Sequence, residues 1–144
     1  MNFTNKNQFD EQISNRVNNN PFKQAPPYEI FNNANLPVLQ KTAEAYKLWH
    51  SFFAKLPKPA RYSLGVKIEN CFCECLELSL NAGYAKREEK IFIVKRLNLK
   101  FDCLKFFLKL LWELKALDNN KYAAISANLS AIGKMLGGWL KSLT

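Results

Sequence analysis

One histidine, four cysteines and 21 lysines and arginines set against 12 acids are the side chains from which this 144-residue chain would build chemistry. A di-iron bundle requires Glu-x-x-His pairs on facing helices, and Lys47 stands three residues before His50. A helical ribonuclease would want an arginine shortly before its histidine, and the seven residues preceding His50 hold none. His50 therefore reads as a surface or rim residue. Cys71, Cys73 and Cys75 are spaced by two, so on a helix successive members point about 200° apart and cannot close on one metal. Cys71 and Cys75 read instead as small apolar packing. No Ser-His-Asp set carries a convincing local motif, and no Gly-rich phosphate loop follows a strand. The expectation is a chain that is not an enzyme and uses no metal and no cofactor.

What remains is charge. The formal net charge is +9, which predicts attraction to polyanions and an affinity that falls with salt. Residues 1–35 carry three basic and three acidic side chains, so residues 36–144 hold 18 against 9 and the whole excess. Nucleic acid and an anionic membrane surface are the partners such a charge selects. No window approaches the roughly 18 uninterrupted apolar residues of a membrane span, because Lys105, Lys109 and Lys115 punctuate the richest stretch. The opening residues lack the apolar core of a secretory signal, which predicts a cytoplasmic protein with its cysteines as thiols.

The elements that must position these cations are legible in the apolar spacing. Residues 1–35 include ten Asn, with Asn18-Asn19-Asn20 in a row and Pro26-Pro27 following. That composition predicts a flexible, disordered tail, in which Phe9, Ile13 and Val17 have the spacing of a short helix formed on a partner. Four helical seams follow. The first runs Leu39, Thr42, Tyr46, Trp49, Phe53, Leu56 and ends at Pro57-Lys58-Pro59. The second runs Leu64, Ile68, Cys71, Cys75, Leu78, Ala82, with Gly83 as its expected stop. The third, between about Ala85 and Leu117, runs Val94, Leu97, Phe101, Leu104, Leu108, Leu111. Asp118-Asn119-Asn120 supplies capping chemistry for the fourth, which runs Tyr122, Ile125, Leu129, Ile132, Leu136, Trp139, Leu143. The fold class is all-α: an antiparallel up-down-up-down four-helix bundle over 36–144 behind the N-terminal tail.

Two surfaces are left over once the core is filled. Phe92, Leu99, Cys103, Phe106, Leu110 and Leu114 fall on a second stripe of the third helix, away from its seam. Burying a Leu or Phe is worth roughly 1.5–3 kcal/mol, so the stripe predicts self-association. The alternative is that the tail folds over it. On another sector of the same helix, Arg87, Lys95, Lys105 and Lys109 project together, with Lys86 and Arg96 nearby, and Glu88, Glu89, Asp102 and Glu113 are too few to pair them all. Lys58 and Arg61 sit at the start of the second helix, where the dipole disfavours cations; with Lys67 they extend the basic surface. Gly133, Gly137 and Gly138 each cost the fourth helix about 1 kcal/mol relative to Ala, which predicts tight helix-on-helix packing at Gly133 and Gly137, with direct backbone contact to a ligand as the alternative.

Two blocks, 56–69 (Leu-Pro-Lys-Pro-Ala-Arg-Tyr-Ser-Leu-Gly-Val-Lys-Ile-Glu) and 132–141 (Ile-Gly-Lys-Met-Leu-Gly-Gly-Trp-Leu-Lys), resemble the accessory variability determinant (Avd) family of diversity-generating retroelements. The resemblance spans about 36–144 and leaves out the tail. It implies a basic, barrel-like homopentamer of four-helix bundles with no activity of its own, which binds the retroelement's reverse transcriptase and its template RNA during mutagenic retrohoming, with the cDNA as a further candidate partner. Lys67 and Lys134 stand where the family often shows Arg, which keeps the charge and loses the bidentate fork. The nucleic-acid contacts expected on charge are Arg61, Lys67, Lys86, Arg87, Lys95, Arg96, Lys105 and Lys109. The alternative is a structural bundle encoded in a ribosomal RNA intervening sequence, without a polymerase partner; such bundles usually carry a different motif in the second helix.

Overall fold

The structure is a computed structural model that describes residues 36–144. The N-terminal segment, including Phe9, Ile13 and Val17, lies outside the described residues. Four long helices and no strand occur among the described residues: α1 (Leu36–Phe53), α2 (Val66–Tyr84), α3 (Arg87–Glu113) and α4 (Asn119–Leu143). A single α-turn at Lys58–Ala60 and a π-helical turn at Arg61–Gly65 lead into α2.

The pairings give the chain directions. Lys67 lies over the Phe107 ring while Glu74 meets Lys100, so positions advancing along α2 meet positions receding along α3. Lys121 at the start of α4 lies over Phe52 at the end of α1. Each helix packs on two neighbours, α1 closing the circuit against α4, which is the layout of a four-helix bundle.

The core follows the predicted seams with local shifts. Ile68, Cys71, Cys75 and Ala82 of α2, all six seam residues of α3, and Ile125, Leu129, Ile132, Leu136 and Trp139 of α4 are buried. In α1 the seam is Val38, Thr42, Ala45 and Trp49, whereas the expected Leu39 is half-buried. Thr42 tolerates burial because its hydroxyl donates to the Val38 carbonyl at 2.7 Å. Phe72, off the expected seam, is fully buried. It stacks on Trp49 with 6.3 Å between ring centroids, and that aromatic pairing draws it into the core.

The helix ends correct one expectation and explain another. Gly83 does not stop α2: no glycine has positive φ, and the helix runs on to Tyr84 before Ala85 and Lys86 turn extended. Two extended residues reverse the chain without a left-handed one. At the other end of α3, Lys115 takes the left-handed conformation, φ 63°. Ala116 N–H donates to Leu111 O at 3.1 Å and Lys115 N–H to Trp112 O at 2.9 Å, the paired bonds of a Schellman cap. Asp118 caps α4 as expected, its carboxylate accepting from the Lys121 N–H at 2.9 Å.

The glycines are the larger correction. Among the described residues a Cβ on Gly133 would meet only the Lys105 Nζ, at 3.8 Å, and one on Gly137 or Gly138 would meet nothing within 4 Å. Helix-on-helix packing within the described bundle therefore does not require them. The glycine that permits a close approach is Gly65, where a Cβ would lie 3.1 Å from both Ala60 O and Phe53 Cε2.

Candidate nucleic-acid interface

The expected cations divide into three settings. Arg61 belongs to the elbow between α1 and α2. Its Nη2 donates to Ala54 O at 2.8 Å and to Leu56 O at 2.9 Å, closing carbonyls that the end of α1 leaves open. Its Nε is buried without a hydrogen-bond partner. The sequence reading placed Arg61 at an unfavourable helix N-terminus, but in space it sits at the C-terminal end of α1, where a cation and its donors are favourable.

On the flank of α3 that faces α2, the charges are largely answered. Lys100 Nζ lies 2.7 Å from Glu74 Oε2, and this bond holds the Glu74 carboxyl below its ordinary range. Arg96 lines the same cleft with Glu74 and Glu77. Lys67 packs its ammonium 5.9 Å from the Phe107 centroid.

On the flank facing α4, the cations are held loosely or not at all. Lys105 Nζ stands 3.5 Å from Asp102, Lys109 Nζ 3.6 Å from Glu113. Both are exposed intrahelical pairs of a kind worth ~0.3–0.5 kcal/mol. Arg87 precedes Lys105 by about five turns at 3.6 residues per turn and so shares its azimuth; together with Lys86 and Lys95 it forms no ion pair among the described residues. Lys105 also lies 5.8 Å from the Phe101 centroid and lines a notch with Tyr122, Ser126 and Ser130 of α4.

Between the two flanks runs the apolar stripe. Phe92, Leu99, Phe106 and Leu114 are 74, 66, 60 and 66% exposed, Cys103 is exposed and Leu110 half-buried. Phe92, Leu99 and Phe106 repeat every seven residues, the period of a seam awaiting a helix.

A constellation the sequence reading did not assemble lies where α1 meets α2. Tyr46 Oη donates to Glu69 Oε2 at 2.9 Å, which raises the phenol's pKa, and His50 Nδ1 lies 3.8 Å from Glu69 Oε1. The sequence signal was present in the i, i+4 spacing of Tyr46 and His50, but the carboxylate comes from another helix. His50 is exposed, as expected. Burial raises the thiols of Cys71 and Cys73 and pushes that of Cys75 up to about 12, so these three are protonated near neutrality. Among the described residues no three His, Cys, Asp or Glu side chains gather to hold a metal ion. No described helix is long and apolar enough to cross a membrane.

A protein-family model described as bAvd-like matches residues 36–143, the full length of the bundle. No curated protein and no solved structure matches the chain.

Proposed function

Because the chain belongs to the bAvd-like family, we propose that it is a non-catalytic accessory protein of a diversity-generating retroelement, binding the reverse transcriptase and template RNA to support mutagenic cDNA synthesis. The mechanism is scaffolding. Cations on the α4-facing flank of α3 neutralise phosphates and position RNA without reading its sequence. The apolar stripe beside them joins copies of the chain, as a homopentamer in the form the family resemblance implies. Multiplying the charge of +9 by five chains gives about +45 per assembly, so RNA binding falls steeply as salt rises.

The observation that supports this reading is the juxtaposition on one helix of an uncovered heptad stripe and a row of weakly paired cations. A solitary bundle gains nothing from either, and their combination suits an assembly that holds a polyanion. Arg61 is left out of the RNA-contacting set, since its Nη2 holds two carbonyls of the elbow and ties the guanidinium there.

Co-expression with a reverse transcriptase of a diversity-generating retroelement, where one is encoded beside the gene, followed by pull-down through a tag on this chain, tests the partner. Recovery of the polymerase together with template RNA is the expected outcome. A chain recovered alone at low salt would favour the ribosomal intervening-sequence reading.

A further inference from the structure

The hydroxyls of the described chain set one place apart. Thr42, Ser51, Ser63, Ser79, Ser142 and Thr144 each donate to a backbone carbonyl of the preceding turn, the ordinary fate of a helical hydroxyl. Ser126 and Ser130 make no such bond. They lie four residues apart, so they stack on one face of α4, and both line the notch against Lys105 of α3. Two unengaged donors and an ammonium thus converge on a concavity of about 160 Å³, against the roughly 10–15 Å³ that one water requires.

The other walls favour a nucleotide chain over a small cation or a neutral solute. Leu108 and Leu129 form an apolar floor, Tyr122 closes one end, and among the described residues no carboxylate lines the notch. The Tyr122 ring is stacked on Trp112, with centroids 4.7 Å apart and planes within 7°, and Trp112 is fixed by its Nε1–H donating to Asn119 Oδ1 at 2.7 Å. That is a rigid aromatic platform beside a cationic seat, the combination that single-stranded nucleic acid occupies. At the opposite end Gly133 leaves Lys105 uncovered: a Cβ there would stand 3.8 Å from the Nζ. The helix accepts a glycine, at a cost to its stability, where a longer side chain would lie across the ammonium. Among the described residues Asp102 is the one acid paired with Lys105, at 3.5 Å and exposed, and a phosphate oxygen displaces so weak a pairing.

We infer that the α3–α4 notch is a seat for a backbone phosphodiester of single-stranded RNA, with Lys105 supplying charge, Ser126 and Ser130 donating to the phosphate oxygens, and Gly133 keeping the seat open. The inference rests on the RNA-binding reading above and adds to it a place, two neutral donors and a reason for one glycine.

The test is fluorescence-anisotropy titration of the full chain with labelled oligouridine across a salt series. The double variant S126A/S130A should bind at least about tenfold more weakly at every salt, the loss expected from even one donor to a charged acceptor. Its salt slope should stay unchanged, because no cation is removed. G133E, which sets a carboxylate against Lys105, should lose more and flatten the slope. Lys47→Gln on α1 serves as the control and should lose no more than the share of one general cation. Adenosine monophosphate at matched ionic strength should leave the RNA bound; displacement by it would overturn the assignment to a chain phosphodiester. Wild-type binding with S126A/S130A equal to it overturns the notch and spares the RNA reading. A wild-type chain that ignores RNA in dilute buffer overturns both. Circular dichroism of each variant confirms that the helices persist.

Discussion

The elbow at Arg61–Gly65 and the notch at Lys105–Gly133 pair the same two ingredients, a cation and a helical glycine, and put them to opposite uses. At the elbow both are consumed by the fold: the guanidinium holds the Ala54 and Leu56 carbonyls, and the glycine lets the π-turn close against Phe53. At the notch neither is. Lys105 has only exposed, easily displaced company, and a Cβ on Gly133 would make no closer approach than ordinary contact with its Nζ, at 3.8 Å. Residue type alone does not separate a structural site from a binding one; the deciding fact is whether the partners of the cation lie inside the chain.

The sharpest way to break that contrast is to add a methyl group to each glycine. Gly65→Ala should destabilise the bundle by about 1–3 kcal/mol, since its Cβ would overpack a backbone oxygen and a ring edge. Gly133→Ala should be neutral or stabilise by up to about 1 kcal/mol through helix propensity. Thermal unfolding of the two variants decides; equal effects would erase the distinction.

Exchanging the cations comes next. Arg61→Met should cost about 1–3 kcal/mol by orphaning carbonyls at the end of α1 while leaving RNA affinity close to wild type. Lys105→Gln should do the reverse, leaving the melting curve in place and reducing the salt slope of RNA binding by about one phosphate's share.

Thiol labelling sharpens the picture of α3. Cys73 and Cys103 are exposed in the single chain, and Cys71 and Cys75 are buried. A maleimide should label Cys73 at all protein concentrations and, if copies join through the α3 stripe as proposed, Cys103 only on dilution. Concentration-independent labelling of Cys103 would leave the stripe uncovered.

The smallest effect belongs to the answered flank. The folded-state pKa of Glu74 is depressed by its bond to Lys100, so its contribution to stability is present above the ordinary carboxylate range and lost as pH falls through its folded value. Glu74→Gln should lower the melting temperature slightly at neutral pH and not at all in acid. A difference that persists in acid would show that the side chain acts through packing.

Much of this architecture was legible in the spacing of apolar residues, because a seam depends on period alone. Every α3 seam residue proved buried, and the residues set aside as a second stripe proved exposed, apart from the half-buried Leu110. What period cannot supply is the partner across the bundle. Phe72 was missed because its burial depends on Trp49 of another helix, and the setting of the Arg61 guanidinium was missed because its acceptors, Ala54 and Leu56, belong to the end of the helix before it. The notch escaped for the same reason: Ser126 and Ser130 look unremarkable along α4 until Lys105 is seen beside them. Gly133 was rightly singled out as costly, but its reason lay outside the packing of the chain.

The central claim is that α3 is built for company, both protein and polyanion. Light scattering on the sizing column eluate of the full-length chain, with and without template RNA, tests it most directly. The account predicts an assembly several times the 16.6 kDa of one chain that takes up RNA at low salt and releases it at high salt. A single 16.6 kDa species at micromolar concentration, eluting apart from RNA in dilute buffer, would contradict it.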